Sequence, residues 1–203
     1  MLTNATVTPL FSSPLYINSV EDFEKPNLDK LEFIRADGIF WTSKNTYVLE
    51  LPEFANIKKI IEHNIDIYTR NVLMCSNNIK FRITNSWVNK HEVGDSVLKH
   101  LHNNSIFSGS LYLKTDNDSG DIIFHRSMNN YSLTPAALTL DFDGYNLYNS
   151  ETWKYSPKIN DICLFPSTLE HSVNINKSNE QRHALAFNVF ISGKFGNLHK
   201  LEI

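Results

Sequence analysis

The chain has 203 residues, 41% of them apolar and 20% charged, the composition of a globular protein long enough to bury a sizeable core and not that of a disordered chain. Nineteen Lys and Arg against 22 Asp and Glu leave a formal charge of −3, with no block of like sign. A basic stripe that would neutralise phosphates is therefore missing, and nucleic acid is not expected as a partner. No run of about 18 apolar residues offers a membrane-spanning helix, and Met1 to Thr6 has neither the basic nor the apolar region of a signal peptide. Cys75 and Cys163 each sit in an apolar stretch and read as buried free thiols, so a cytoplasmic location is expected.

Residues Thr8 to Ile17, with Pro9 and Pro14, read as an extended segment suited to a sheet edge. A first helix is predicted over Val20 to Ala36, carrying Phe23, Leu28, Leu31 and Ile34, with Pro26 as a break near its start. A second, more strongly periodic helix is predicted from Leu51 to Val72, where Phe54, Ile57, Ile61, Ile65 and Tyr68 recur at three- and four-residue spacing. Short strands follow: Lys80 to Val88, Phe107 to Lys114, Asp121 to His125, Thr152 to Tyr155, Asp161 to Phe165, His171 to Ile175 and Arg182 to Ile191. Helices followed by many short strands predict an α+β arrangement in which a β-sandwich or barrel carries the site. A single domain over 1–203 is expected, with 1–75 supporting a core formed by 76–203. The span from Arg126 to Ser150 has no clean period, and its Tyr131, Phe142, Tyr145 and Tyr148 make it a candidate lid or substrate wall.

Eight histidines are present, and three stand out by context. His100 and His102 flank Leu101 just before a predicted strand. In an extended backbone residues two apart point to the same side, roughly 6.5–7 Å apart at Cα, so two imidazoles can close on one metal. A His-x-His pair alone is more often a solvated strand face. His171 then follows a buried-looking strand, and Arg182 opens an otherwise apolar one. A guanidinium there is poorly placed unless it meets an anion, which it can grip through two parallel hydrogen bonds. Metal ligands plus such an arginine describe a pocket for a small metal-chelating carboxylate; the plain alternative is an edge-strand arginine in solvent or paired with an aspartate.

The joint order of these motifs resembles the 2-oxoglutarate/Fe(II)-dependent oxygenases, and more closely a group of short 2OG-Fe(II) oxygenase proteins of marine bacteria and their phages. The stretches that carry the resemblance are Trp87-Val88-Asn89, Gly94 to Gly109, Leu111 to Leu113, Gly120 to Phe124, Phe165 to Val173, and Arg182 to Asn188, with Pro9 to Leu15 at the start. The resemblance implies a double-stranded β-helix (jelly-roll, cupin-like) core with the N-terminal helices packed on one sheet. It implies Fe(II), 2-oxoglutarate and O2 as cofactors, with His100, His102 and His171 as metal ligands and Arg182 as the clamp on the distal carboxylate. Tyr112 is implied as a second donor to that carboxylate. Asn89, Asn103, Asn104, Ser105 and His125 are candidates for the surrounding shell or for substrate contact. The implied reaction couples decarboxylation of 2-oxoglutarate, giving succinate and CO2, to hydroxylation of a small molecule or a protein side chain.

Two departures stand out. His102 occupies a position where most members of the superfamily carry Asp or Glu, which leaves the metal site one unit more positive. Ala184 stands where Ser or Thr is common two residues after the arginine. Two other readings stay open from the residues alone: a three-histidine, cupin-like dioxygenase that uses no 2-oxoglutarate, and a non-catalytic β-sandwich that binds through its loops. His91 and His183 flank motif segments and read as exposed or internally satisfied. The sequence is compatible with a homo-oligomer.

Overall fold

The computed structural model describes residues 5–37, 39–126, 140–196 and 201–202. Among the described residues twelve strands run in chain order: β1 Tyr16–Ser19, β2 Phe33–Ala36, β3 Phe40–Ser43, β4 Ile79–His91, β5 Val97–His100, β6 Phe107–Lys114, β7 Ile122–His125, β8 Thr152–Tyr155, β9 Asp161–Pro166, β10 His171–Val173, β11 Arg182–Phe195 and β12 Leu201–Glu202. The α-helix among the described residues, α1, spans Ala55–Ile67. The major sheet has the order β1-β9-β6-β11-β4-β3-β2, with β12 paired to β11, and the minor sheet has the order β5-β10-β7-β8. Each strand pairs antiparallel to its neighbours. Two facing antiparallel sheets whose strands cross between distant parts of the chain form the expected jelly-roll-like, double-stranded β-helix core.

Alternation along the strands sorts the major sheet into two faces. Val88, Leu111, Leu113, Ile162, Leu164, Leu185, Phe187 and Val189 form the outer core, with Ile57, Ile61 and Ile65 of α1 packed on it. The inner face contributes Tyr112, Cys163, Phe165 and Ala184, which pack against Ile122 and Phe124 of the minor sheet. The helix is tied to the sheet by Asn64, whose amide oxygen accepts from the Tyr16 hydroxyl at 2.8 Å and the Asn18 amide at 2.9 Å. Gly109 sits where β6 squeezes between β9 and β11. A Cβ there would lie 2.5 Å from the Phe187 ring and 2.6 Å from the Cys163 carbonyl, so glycine is required for close packing.

The predicted Leu51–Val72 helix is present as α1, entered through a short 3-10 turn at Pro52–Phe54 and left through a π-helical turn at Tyr68–Val72. The helix predicted over Val20 to Ala36 does not form. Its residues make a 3-10 turn at Leu28–Lys30 and then strand β2. The spacing of Phe23, Leu28 and Leu31 reflects residues laid along the outer core rather than a helical stripe. Asn27 caps the short turn from its side chain, and the extended backbone at Leu31 ends it. Part of the 126–150 segment, including Tyr131, lies outside the described residues. Phe142 and Tyr145 meet edge to face at 6.1 Å, and Tyr145 is exposed.

Candidate metal and carboxylate site

The three histidines meet at one mouth of the β-helix. His171 opens β10 and pairs in register with His100 at the end of β5. His102 follows just past that strand, where its backbone N–H donates to the Ser167 carbonyl at 3.0 Å. The ligand-capable ring nitrogens of His100, His102 and His171 all lie within 4.8 Å of one another. The pair two residues apart therefore does converge, but through the turn after β5 and not as two residues of one strand.

Hydrogen bonds fix which nitrogens face inward. The Leu98 carbonyl lies 2.8 Å from His100 Nδ1 and the Leu169 carbonyl 3.0 Å from His171 Nδ1. A carbonyl only accepts, so Nδ1 carries the proton in each ring and Nε2 presents a lone pair, the arrangement that orients histidine for metal binding. The Asn188 side chain makes a hydrogen bond to His102. His102 Nε2 stands 3.3 Å from His171 Nε2, and the two rings stack within 9° of parallel. At that distance a proton on His102 Nε2 or a cation between the two rings can hold the nitrogens together. Burial, reinforced by the neighbouring imidazoles, depresses the His171 pKa to about 3 and that of His102 to about 4. Both rings are thus neutral at physiological pH, with lone pairs available to a metal. Trp87 stacks against the His102 ring at 5.8 Å.

The hydroxyls behind His102 form a chain that the sequence did not signal. Ser105 Oγ donates to Ser167 Oγ at 2.7 Å, Ser167 and Ser108 share a hydrogen bond at 2.8 Å, and Ser108 Oγ donates to the Asn188 amide oxygen at 2.8 Å. Ser105 thus reaches the site through Asn188. Asn103 and Asn104 do not: both are exposed, and Asn104 takes the left-handed conformation at φ 58° that the turn between β5 and β6 requires. His125 is likewise misplaced for a role in the pocket. Its neighbour Phe124 pairs with His171, so alternation turns His125 to the opposite face, where Nε2 meets Ser172 Oγ at 2.9 Å.

Across the inner face lies Arg182, 3% exposed, with no carboxylate in hydrogen-bonding reach among the described residues. Its guanidinium lies over the Tyr112 ring at 5.1 Å. Its Nη1 points to His91 Nδ1 at 3.3 Å, and its Nε–H has no partner. Burial lowers the Arg182 pKa from its ordinary value. A buried guanidinium with no carboxylate beside it and one N–H unpartnered is costly unless a bound anion completes it. Tyr112 is fully buried; its hydroxyl lies 3.9 Å from Cys163 Sγ, and its side chain also hydrogen-bonds the Arg182 guanidinium. Ala184 lies between Tyr112 and Asn89 in register and supplies no donor, while the Asn89 amide oxygen is buried without a partner.

His91 corrects the reading of an exposed or satisfied side chain. It is wholly buried, directly opposite Arg182, and its Nε2 has no partner. Burial, with the nearby Arg182 charge, holds its pKa down to about 3. A signal was available: Arg182 begins the long strand β11 just where His91 ends its neighbour β4, so an antiparallel pairing from those ends puts the two on one face.

A jelly roll with three converged imidazoles and a buried arginine on its inner face offers a donor set for one first-row metal and a site for an anion, as in the non-haem oxygenase class. A family model described as "Putative 2OG-Fe(II) oxygenase" matches residues 85–188, just over half of the chain, and the chain belongs to that family. No curated protein matches it. Solved structures share the fold. An oxidoreductase of the 2OG-Fe(II) oxygenase family from Burkholderia pseudomallei is 12% identical, with 79% of this chain and 72% of that one covered and a TM-score of 0.55. The epimerase SnoN from nogalamycin biosynthesis, solved with Fe3+, alpha ketoglutarate and nogalamycin RO, is 12% identical over 82% of this chain and 72% of that one, at a TM-score of 0.56. HygX from Streptomyces hygroscopicus, solved with nickel, 2-oxoglutarate and hygromycin B, is 13% identical over 80% and 74%, at 0.53. At such identities the likeness is one of fold. As a family member the protein is an oxidoreductase whose cofactors are Fe(II), 2-oxoglutarate and O2.

Proposed function

We propose that the protein is a 2-oxoglutarate-dependent hydroxylase, with His100, His102 and His171 as the metal ligands and Arg182 as the grip on the distal carboxylate of 2-oxoglutarate. The observation that carries this reading is the buried Arg182, whose Nε–H is unpaired on the face that packs toward the minor sheet and its His171. The donor set fits the group: three imidazoles suit a first-row divalent metal, and a forked guanidinium suits a carboxylate. When bound, Fe(II) with 2-oxoglutarate and O2 supplies the oxidising chemistry, releasing succinate and CO2.

The residues of the chain bind, orient and exclude water. Leu98 and Leu169, through their carbonyls, fix the tautomers of His100 and His171, and the serine chain through Asn188 holds His102. Phe124 and Phe165 pack against the His171 ring at 6.2 and 4.8 Å and keep that side of the site dry. Tyr112 provides a flat surface on which the guanidinium rests. Because the fold is shared by an epimerase, hydroxylation is proposed from the chemistry usual to such sites and the substrate is taken to be a small molecule or an accessible side chain.

The test is uncoupled turnover: purified protein with Fe(II), 2-oxoglutarate and O2 should release succinate and CO2 slowly without a prime substrate. His171→Ala and Arg182→Ala should each abolish that release. Turnover that survives Arg182→Ala contradicts the reading and favours a three-histidine dioxygenase.

A further inference from the structure

Resting on the reading of His100, His102 and His171 as the metal ligands, we propose that Trp153 is the platform on which the prime substrate lies, stacking a flat, uncharged aromatic ring beside the metal. The sheet register carries this. His100 of β5 pairs with His171 of β10, His171 with Phe124 of β7, and Phe124 with Trp153 of β8, so one row crosses the whole minor sheet. Directly paired residues of neighbouring strands share a face. The row therefore sets Trp153 on the same face as two of the histidines. Tyr155, two residues further along β8, agrees with that placement: it packs into the inner core with Ile122 and Phe124. With about 4.8 Å between strands, Trp153 stands roughly 10 Å from His171 at the backbone, a gap that a substrate of one or two rings spans.

The indole stands there without a partner of its own. Phe124, beside it in the row, is 4% exposed and rests against the His171 ring. Trp153 is 52% exposed, and its ring has no hydrogen bond or aromatic contact among the described residues. Trp87 also reaches the site, but its ring is already stacked on His102. The surroundings select the class of ring. A sugar needs hydroxyl partners beside its stacking face, and the side chains of Phe124, Phe165 and Leu169 supply none. Beyond the row come Arg126 and Glu151, whose backbones are joined by a 2.7 Å hydrogen bond and whose charges are opposite, so that end carries no net charge to select an ion.

The probe for the test is 2-naphthol, titrated by calorimetry into protein loaded with Co(II) and 2-oxoglutarate, with methyl glucoside and tetramethylammonium as the competing chemistries. Wild-type protein should bind 2-naphthol more tightly than either. Trp153→Ala should weaken that binding about two- to tenfold, the loss expected of one aromatic pair. Trp153→Phe, which keeps a ring, should recover most of it. Nearness to the metal is read separately: the naphthol proton resonances should broaden in Co(II)-loaded protein and not in Zn(II)-loaded protein. No naphthol binding, unchanged affinity in Trp153→Ala, tighter binding of the glucoside or the ammonium, or resonances equally sharp with both metals overturns the assignment. Protein that takes up neither metal nor 2-oxoglutarate, an outcome read before any naphthol is added, overturns instead the reading of the histidines and Arg182, and the role of Trp153 falls with it.

Discussion

Strand β11 is buried on both faces, yet the two faces are built on opposite principles. Outward, Leu185, Phe187 and Val189 are fully covered by apolar neighbours and by α1. Inward, Arg182, Ala184, Ala186 and Asn188 face small side chains, other polar groups and orphaned donors. The outer face is complete in itself, and its contribution is stability. The inner face leaves buried groups unpaired, and on the proposed reading their cost is the price of a prepared site. Changes on the two faces should therefore separate cleanly into stability and binding.

The largest expected effect is on the outer face. Phe187→Ala removes a wholly buried aromatic from between the sheet and the helix and should cost about 3–5 kcal/mol in denaturant unfolding. Its folded fraction should still bind Fe(II) as the wild type does; a selective loss of metal affinity would break the division between the faces.

Acid should then reveal the inner face. His91 and His171 titrate near 3 and His102 near 4 in the folded, metal-free protein, against about 6.5 when unfolded. Below about pH 6.5 the unfolded chain takes up protons that these folded rings refuse, so stability is full above that pH and falls as pH drops toward 4. Denaturant midpoints measured across that range check it, and saturating metal should steepen the fall by adding a ligand that only the unprotonated, folded site accepts. A flat profile contradicts the buried, neutral state of the rings.

The smallest effect sharpens the account of the clamp. Ala184→Ser puts a hydroxyl between Tyr112 and Asn89, and one added hydrogen bond of about 0.5–1.5 kcal/mol should tighten 2-oxoglutarate by roughly two- to tenfold. Titration calorimetry reads it, and weaker binding would place residue 184 out of reach of the carboxylate.

The legible parts of this molecule were those whose signal is local. The strands at 107–114 and 152–155 fall where alternation and turn residues put them, and the periodic stripe from Phe54 to Tyr68 is the helix on the outer core. His100, His102, His171 and Arg182 were found through motif order, and the structure brings the three histidines together. What the sequence hid is nonlocal. The 20–36 segment has apolar residues at spacings that suit either a helix or a chain laid over a core, and only the pairing of β2 with β3 decides it. His91 lies 91 residues from Arg182, and its partnership depends on the register of two long strands. The serine chain through Ser167 and Ser108 joins residues that read individually as ordinary strand and turn positions. The face taken by His125 was hidden too, because adjacency to motif residues does not give the face of a strand.

The most direct test of the central claim is anaerobic titration of the metal-free protein with Fe(II) and then 2-oxoglutarate, watching for the weak visible charge-transfer band of a chelated keto acid. The account predicts that the band appears with wild-type protein and is lost in both His171→Ala and Arg182→Ala. Fe(II) binding without any band in the wild type, or a band undiminished in Arg182→Ala, would contradict it.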